Sequence, residues 1–536
     1  MDNTLDYNNQ NIGVIYPSAA KITAINFDNI NDYYRNRYFV FYNHSNELSC
    51  AIVESSSISY IKRKYNNIIK FYSVTEKDLF SILEQSFSPL ITQKSQHYLS
   101  QVSAEVSAKT VDYKKMITGF LLLFTISLMF FSNIFHFTNN VIYLVQNFFK
   151  ILIFKRSIAK NLNPSSFTRK YEGKIPIYTI FVPLYKEVGK LRSIIRAIDN
   201  LDYPKSKLDV KFIIEADDKE TIKALSIIDL PKYVHLIKVP FSLPRTKPKA
   251  MNYATVYIKG EYLCVYDAED KPDSDQLLKA LHAFKKLPEE YACVQARLNF
   301  YNSEENLLTR FFSIEYTLWF EYLLRGLDLY GLPITLGGTS NHFKVSVLKE
   351  IGYWDAYNVT EDADLGVRLY SKGYKVHIID SKTLEEAPIS LVNWLTQRTR
   401  WIKGFIQTIY VFLLSPKNYK VLGFRKVLSI YVFIGFSSYS FFYMPWIMLT
   451  FLFRLDQYVY YLWFINTGLS LAFVYSCVYY IIRQKKFTPI DFCILPLWPF
   501  YFVLHTIAAY LSVVEIFLMP FKWNKTTHGV SATELD

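Results

Sequence analysis

Cysteine is scarce in this sequence, and that scarcity excludes two ways of stabilising a fold. The 536 residues contain five cysteines, and no two of them form a CxxC pair. Structural zinc sites and disulfide frameworks need suitably spaced cysteines, so we expect neither. The simpler interpretation is that they are small buried side chains, at Cys50, Cys264, Cys293, Cys477 and Cys493.

Charged residues are also few, at 20%, whereas 51% of the residues are hydrophobic and cluster in blocks. This pattern indicates an integral membrane protein. The formal net charge of +13 could suggest a nucleic-acid partner, but many lysines and arginines flank the apolar blocks. We interpret them as cytoplasmic anchors and expect no nucleic acid. Residues 1–11 are polar and acidic, which argues against a cleavable signal peptide.

Apolar runs indicate where the chain meets the membrane. Residues 117–137 carry no charge over about the length that crosses a ~30 Å hydrocarbon core. A second, more interrupted run at 141–154 completes a predicted transmembrane hairpin. Residues 427–453 and 460–482 each suit a spanning helix. The run 491–518 contains prolines, a histidine and a glutamate, which a lipid-facing span rarely carries, so we favour an interfacial or re-entrant segment there.

The other segments are soluble in character. Residues 1–110 mix β-like runs with a helical stretch and predict a small α/β domain. Residues 157–416 alternate strand and helix, which predicts an α/β domain with a mainly parallel sheet. Its predicted strands lie at 178–183, 210–216, 235–239, 262–267 and 292–298. The predicted hairpin occupies 111–156 and further membrane helices occupy 417–520. We expect the α/β domain and the tail 521–536 to face the cytosol, because basic residues flank that side of the spans.

Acidic residues follow the first two predicted strands of the α/β domain, and they suggest a nucleotide site. They are Glu187 and Asp217. In an open parallel sheet, ligands bind beyond the carboxyl ends of the strands, where acidic residues can hold a base and a ribose. Lys249 then lies at a helix start whose N–H groups can meet phosphate oxygens. Each signal is weak alone, because acidic strand ends are often solvated turns.

The fourth predicted strand runs directly into Asp267-Ala268-Glu269-Asp270. Carboxylates this close repel one another unless a cation lies between them, and oxygen ligands suit Mg²⁺ or Mn²⁺ that also binds a diphosphate. Asp267, Glu269 and Asp270 are therefore candidate metal ligands. Asp267 is also a candidate for binding the donor nucleotide. The alternative is a solvated acidic turn.

A second acidic cluster begins a helical segment at 360–364. Transfer of a group from a nucleotide to a hydroxyl, with inversion at the reacting carbon, needs a carboxylate that accepts the proton of that hydroxyl. We take Asp362 as the candidate general base and Glu361 as a second catalytic candidate. The alternative is that these carboxylates only cap the helix.

The last motif, Gln397-Arg398-Thr399-Arg400-Trp401, precedes a membrane-proximal helix. Arg400 could stabilise a departing diphosphate, and Trp401 could present an apolar face to a sugar ring. The alternative is an interfacial tryptophan with lipid-facing arginines.

Taken together, these motifs resemble family 2 glycosyltransferases of the processive, membrane-integrated type, similar to cellulose and hyaluronan synthases. The resemblance runs from residue 175 to about 404, and the tail 523–529 resembles bacterial synthases of xanthan-like polysaccharides. It implies a GT-A fold, with Glu269 in place of the usual second aspartate of a DxD motif. The implied roles are nucleotide contact for Asp217, diphosphate and metal for Asp267 and Glu269, general base for Asp362, and acceptor and diphosphate site for Gln397, Arg400 and Trp401.

The expected function is extension of a polysaccharide from a UDP-sugar, with inversion and with Mg²⁺ or Mn²⁺. The expected location is the bacterial inner membrane, with membrane lipids and secretion proteins as further partners. The alternative enzyme adds one sugar to a lipid or lipid-linked acceptor. A channel would carry ionisable residues in several spans, and the two clear carboxy-terminal runs contain none. An inactive sugar-binding receptor would lack the carboxylates that this sequence retains.

Overall fold

The structure is a computed structural model of the chain, and it describes residues 29–42, 47–65, 67–68, 70–130, 132–160, 173–452, 457–483, 488–526 and 531. The strands are β1 Tyr38–Tyr42, β2 Leu48–Ile52, β3 Lys70–Ser73, β4 Tyr178–Leu184, β5 Leu208–Glu215, β6 Val234–Val239, β7 Tyr262–Val265, β8 Lys271–Pro272, β9 Tyr291–Phe300, β10 Asn341–Lys344 and β11 Lys375–Glu385.

Helices of the N-terminal part are α1 Asn29–Arg35, α2 Ile58–Lys64 and α3 Glu76–Val102, and they are followed by the apolar pair α4 Tyr113–Phe130 and α5 Ser132–Lys160. Those of the α/β domain are α6 Leu191–Asp199, α7 Lys219–Ile227, α8 Lys247–Ala254, α9 Gln276–Lys286, α10 Leu307–Tyr316, α11 Leu324–Leu329, α12 Val345–Glu350, α13 Glu361–Ser371 and α14 Leu391–Leu413. The C-terminal helices are α15 Lys417–Ile430, α16 Phe436–Leu452, α17 Gln457–Arg483, α18 Pro489–Cys493 and α19 Trp498–Leu518.

The N-terminal part is a small α/β unit that packs on the larger domain. Its three-stranded sheet has the order β1-β2-β3. Asn31 donates to the backbone oxygens of Val256 and Ile258, and Asn252 donates to the oxygen of Ser95 in α3. The unit therefore lies against α8 and the residues that follow it.

An eight-stranded sheet in the order β6-β5-β4-β7-β10-β9-β11-β8 forms the α/β domain. Every residue of β5 is buried, as expected for a strand covered on both faces. Strands β4 to β7 pair in parallel, whereas β10 runs antiparallel to both β7 and β9. The α/β class is confirmed, but the sheet is mixed in its second half because β10 inserts there.

Four helical stretches of the described chain are long and apolar enough to cross a membrane: Tyr113–Phe130, Lys417–Trp446, Tyr461–Arg483 and Pro489–Leu518. The second helix of the predicted hairpin, α5, does not meet this criterion. It contains Lys150 and packs on α17, where Asn147 donates to the backbone oxygen of Asn466 at 3.3 Å. The hairpin therefore stays a prediction for α5.

The run 491–518, predicted to be interfacial, contains the long helix α19. Glu515 forms an ion pair with Lys403 at 2.7 Å, and His505 lies 3.7 Å from Glu315. These polar groups face the protein interior, so they do not oppose a spanning orientation. The interfacial arrangement remains a prediction, and the stretch has the length and composition of a span.

Candidate active site

A cavity of about 1370 Å³ lies where the α/β domain meets the apolar helices, and its wall contains residues of both. Most of the predicted site residues lie together in this wall: Glu187, Asp267, Glu269, Glu361, Asp362, Gln397, Arg400 and Trp401. Three other predicted residues, all within the described part of the chain, are not in the wall: Asp217, Lys249 and Asp270.

The turn after β7 separates three carboxylates that are adjacent in the sequence. Asp270 is completely buried, where it accepts hydrogen bonds from the Asp267 N–H at 2.7 Å and from the Thr339 hydroxyl. Burial, together with Asp267 and Glu269, raises the pKa of Asp270 well above its ordinary value. Asp270 thus closes the turn, while Asp267 and Glu269 face the cavity.

Asp267 and Glu269 form an acidic pair that a cation would stabilise. Burial and the charge of Asp267 raise the pKa of Glu269 to about 7. Among the described residues, no group of three His, Cys, Asp or Glu side chains is arranged to hold a metal ion. A cation bound to a diphosphate needs only one or two protein carboxylates, because phosphate and water supply its other ligands. Asp267 and Glu269 fit that requirement.

Asp362 and Glu361 occupy the first turn of α13. Burial and the neighbouring Asp362 raise the pKa of Glu361 to about 8. Burial also raises the pKa of Asp362, but the Ala363 N–H, which donates to Oδ1 at 2.8 Å, and the charges of Lys247 and Arg400 lower it. The pKa of Glu361 is raised by burial and by the Asp362 charge, whereas the Ala363 N–H and the Arg400 charge offset part of the rise in the pKa of Asp362, which favours Asp362 as the proton acceptor.

Trp401 lines the cavity from α14, and its ring has two close partners. Its ring centre lies 6.0 Å from that of Tyr316, with 26° between the ring planes. The Arg398 guanidinium lies 4.6 Å from the Trp401 ring centre. These contacts fix the orientation of an aromatic surface that a sugar ring can pack against.

Helix α14 reaches the acidic helix through a glycine. A Cβ atom at Gly404 would lie 2.0 Å from Oγ1 of Thr360, so a larger residue would push α14 away from the residue that precedes α13. Gly404 thus allows Arg400 and Asp362 to share one wall.

Comparison with known proteins identifies the class of enzyme. Residues 262–483 match the model of the family described as glycosyl transferase family group 2. The chain is 26% identical over 309 residues to the "Probable glycosyltransferase YdaM" of Bacillus subtilis (strain 168), covering 56% of this chain and 70% of that protein. The chain is a glycosyltransferase. A family 2 glycosyltransferase region over residues 262–483 is supported by this match, whereas the GT-A fold and the processive type stay proposals.

Two solved structures are distantly similar to this glycosyltransferase. One is the mannosyltransferase PcManGT from Pyrobaculum calidifontis in complex with GDP-Man and Mn²⁺, at 16% identity and a TM-score of 0.45, covering 72% of this chain and 100% of that one. The other is S. aureus TarS, at 12% identity and a TM-score of 0.30, covering 48% of this chain and 54% of that one.

Of the two lysines at the start of α8, Lys247 lines the cavity and Lys249, the predicted phosphate contact, does not. The Lys247 ammonium lies 2.5 Å from Oδ1 of Asp267 and donates to the Gly338 oxygen at 2.9 Å. Lys249, two residues later on α8, is completely buried. It donates to both carboxylate oxygens of Glu215, at 2.8 and 3.0 Å. We therefore propose Lys247 as the residue that meets the donor diphosphate.

Replacing each lysine should separate the two roles. Lys247→Met should weaken binding of the nucleoside diphosphate about tenfold or more, since a charged hydrogen bond is lost, with little change in stability. Lys249→Met should instead destabilise the fold by about 3–5 kcal/mol, because Glu215 loses its buried partner. Calorimetric titration measures the first effect and thermal unfolding the second.

The double variant Lys249→Met with Glu215→Gln is the matched control, because it removes both charges of the buried pair and should recover much of the lost stability. Equal losses of nucleotide affinity in the two single lysine variants would contradict the assignment of Lys247.

Asp217 lies at the rim of the cavity. Its Oδ1 accepts a hydrogen bond from Arg245 at 2.7 Å, and the Arg245 guanidinium lies 4.4 Å from the centre of the Tyr185 ring. Arg245 and Tyr185 line the cavity themselves. The predicted contact of Asp217 with the nucleotide stays a proposal, with Arg245 between Asp217 and the interior.

The C-terminal tail contributes to the site, which the sequence motifs did not assign. Lys525 lies 2.6 Å from Oε1 of Glu187. Arg400 donates to the backbone oxygen of Asn524 at 2.8 Å, and its guanidinium lies 4.8 Å from the Trp523 ring centre. The tail thus covers part of the wall that holds the predicted donor residues.

The N-terminal unit also reaches the edge of the cavity. Asp355 accepts hydrogen bonds from the Ala108 N–H at 2.6 Å and from the Ser107 hydroxyl at 3.2 Å. Two residues later, Tyr357 lines the cavity and hydrogen-bonds His97 of α3 at 3.3 Å. Residues of the N-terminal unit therefore hold the segment that leads to α13.

Gly338 leaves open space between Asp362, the proposed base, and Lys247, the lysine proposed to bind the diphosphate. A methyl group there would lie 3.6 Å from Oδ2 of Asp362 and 3.9 Å from Nζ of Lys247, with no closer neighbour. Gly338→Ala should therefore fold normally, but its methyl group would fill space that the substrates need beside Asp362 and reduce sugar transfer by about 10²-fold. Membrane assays with labelled donor measure this loss.

The matched control is Gly119→Ala, because a Cβ atom at Gly119 has no neighbour within 4 Å and the residue is outside the cavity. It should retain parental activity. A Gly338→Ala enzyme as active as this control would show that the space beside Asp362 is not used by substrates.

Proposed function

We propose that this glycosyltransferase moves a sugar, with inversion, from a nucleotide sugar to an acceptor bound in the cavity. The observation that carries the proposal is the presence of Asp267, Glu269, Asp362 and Arg400 in one wall. A UDP-sugar is the proposed donor, by resemblance to the processive synthases. The base and ribose are proposed to lie toward Asp217.

In the proposed reaction, an acceptor hydroxyl oxygen attacks the anomeric carbon while the bond from that carbon to the diphosphate breaks. Asp362 accepts the hydroxyl proton, and the nucleoside diphosphate leaves with the bonding electrons. Lys247 and Arg400 offset its negative charge. Mg²⁺ or Mn²⁺ held by Asp267 and Glu269 would supply further positive charge at the diphosphate.

Extension of a polysaccharide is the first proposed outcome. Its support is the motif at Gln397, Arg400 and Trp401, together with the fixed Trp401 ring in the wall. A ring fixed in this way can hold the terminal sugar of the growing polymer in the same position after each addition.

Transfer of a single sugar to a lipid or lipid-linked acceptor is the second candidate. It is favoured by a separate observation, which is that the cavity continues between the apolar helices and is lined there by Phe433, Phe441 and Trp463. Such a wall suits a hydrocarbon chain. In either case we propose an enzyme of the bacterial inner membrane whose α/β domain faces the cytosol.

Incubation of membranes that contain the protein with a panel of labelled nucleotide sugars tests both candidates. The reactions contain Mg²⁺ or Mn²⁺, and the product is sized after extraction with organic solvent and with water. A long water-soluble product indicates polysaccharide synthesis, and a short solvent-soluble product indicates transfer to lipid. Membranes with equal amounts of the Asp362→Asn variant are the control, and no incorporation from any donor would contradict the proposed function.

A further inference from the structure

The cavity has two chemically different ends. The end at the α/β domain contains the acidic residues and the two basic residues proposed to bind the diphosphate, Lys247 and Arg400. The other end, between α5, α16, α17 and α19, is mainly aromatic and aliphatic, and its charged side chains in the described chain are Lys150, Glu315 and Arg398. This end is the part that an acceptor entering from the membrane would occupy.

Two of those three charges neutralise each other. Arg398 donates to both carboxylate oxygens of Glu315, at 2.8 and 2.5 Å, in a bidentate pair. The Tyr501 hydroxyl donates to Glu315 at 2.7 Å as well. Glu315 therefore has strong partners of its own, and Lys150 is the positive charge that remains.

Lys150 is partly buried on α5 and lines the cavity. Within the part of the chain that the structure describes, no carboxylate lies within ion-pair distance of its ammonium, and Glu315 is the charge that acts on it from further away. An ammonium in an apolar wall is costly unless it meets an anion or water. Its cost points to a negatively charged ligand.

Lys150 lies close to a basic flank on its own helix. Lys155 and Arg156, which are exposed, follow it on α5 and form a basic flank of the kind that marks the cytosolic membrane surface. Five residues of helix span about 7.5 Å. Lys150 thus lies just inside the basic flank, where the apolar part of the cavity begins.

Polar side chains adjoin Lys150 in the wall. Asn147, one turn earlier on α5, donates to the backbone oxygen of Asn466 at 3.3 Å and accepts a hydrogen bond from the Ser470 hydroxyl at 2.9 Å. All four residues line the cavity. The wall around the ammonium can therefore hold a polar headgroup while the surface beyond it remains apolar.

We propose that this end of the cavity binds a lipid-linked acceptor through a phosphate group, with the Lys150 ammonium on the phosphate and the hydrocarbon among Phe433, Phe441 and Trp463. The inference names the acceptor class of the glycosyltransferase and rests on the proposed function. It also leaves the sugar end of such an acceptor directed toward Asp362.

Binding of farnesyl phosphate to the full chain in phosphatidylcholine nanodiscs tests the proposal without donor or turnover. The readout is tryptophan fluorescence, since Trp319, Trp463 and Trp498 line the cavity. Lys150→Gln should weaken binding of farnesyl phosphate about tenfold or more, as expected for a lost charged hydrogen bond, and should not change binding of farnesol. Lys150→Arg should retain most of the affinity.

Lys155→Gln is the matched control, because it removes a lysine from the same helix outside the cavity, and it should bind like the parent. Equal affinity of the parent and Lys150→Gln for farnesyl phosphate would overturn the proposal. So would competition by inorganic phosphate or by phosphatidylglycerol that is as strong as that by farnesyl phosphate, because the site would then take a free anion or an ordinary lipid.

Failure of the proposed function would look different. If Asp362→Asn retained transfer while Lys150→Gln lost farnesyl phosphate, the catalytic assignment would fall and the acceptor site would stand. If Asp362→Asn abolished transfer while Lys150→Gln bound normally, the catalytic assignment would stand and the acceptor site would fall.

Discussion

Asp362→Asn should slow sugar transfer by about 10²- to 10⁴-fold, the usual contribution of a general base, and should leave nucleotide affinity nearly unchanged. Asparagine keeps the shape of the side chain and can still accept the Ala363 N–H bond. It cannot take the acceptor proton. Turnover of labelled donor and calorimetric titration with nucleoside diphosphate measure the two effects.

The pH profile gives this prediction a second readout. Burial raises the pKa of Asp362, and a base must be ionised to accept a proton. Activity of the parent should therefore fall as the pH drops through that raised pKa, and the residual activity of Asp362→Asn should lack this fall. If the variant keeps most of the parental rate, the first turn of α13 is only a helix start.

The sequence predicted the first half of the α/β sheet well. The predicted strands at 178–183, 210–216 and 235–239 correspond to β4, β5 and β6 with ends that differ by no more than two residues. Strands β4 and β5 are largely apolar and buried, and β6 keeps a run of aliphatic residues although it is only partly buried, so composition marks all three. The short strand β10 has the sequence Asn341-His342-Phe343-Lys344, whose polar residues gave no strand signal.

Buried His342 shows why β10 could not be read locally. Its ring hydrogen-bonds the Tyr178 hydroxyl at 2.8 Å and the Gln276 side chain at 3.2 Å. Both partners are far from it in the sequence. The tertiary fold, not the local pattern, therefore makes this polar segment a central strand and changes a parallel sheet into a mixed one.

Motif order predicted which parts of the chain form the site, but not which side chain of each motif enters it. In the sequence, Lys247 and Lys249 are equivalent candidates for a phosphate contact. The helix start at Thr246 turns one lysine toward Asp267 and the other toward Glu215. The tail residues lie more than a hundred positions from Arg400. Their contact with Arg400 is a tertiary contact that a local sequence pattern cannot predict.

The carboxylates after β7 should respond to amide substitution in three different ways. Asp267→Asn should reduce turnover to near background, by about 10³-fold, because it removes charge from the proposed cation site at the leaving diphosphate. Glu269→Gln should also lower turnover strongly. Asp270→Asn should mainly lower the unfolding temperature, since Asp270 closes the turn through the Asp267 N–H and the Thr339 hydroxyl.

Manganese binding separates a metal ligand from a residue that only shapes the turn. In the presence of nucleoside diphosphate, the affinity for Mn²⁺, measured by electron paramagnetic resonance, should fall in Asp267→Asn and Glu269→Gln and stay near the parental value in Asp270→Asn. A chelator should stop transfer by the parent, and added Mn²⁺ or Mg²⁺ should restore it. If Asp267 and Glu269 hold a metal ion, their variants must lose more activity than the Asp270 variant. Mild and nearly equal losses of activity in all three variants would instead indicate a solvated acidic turn.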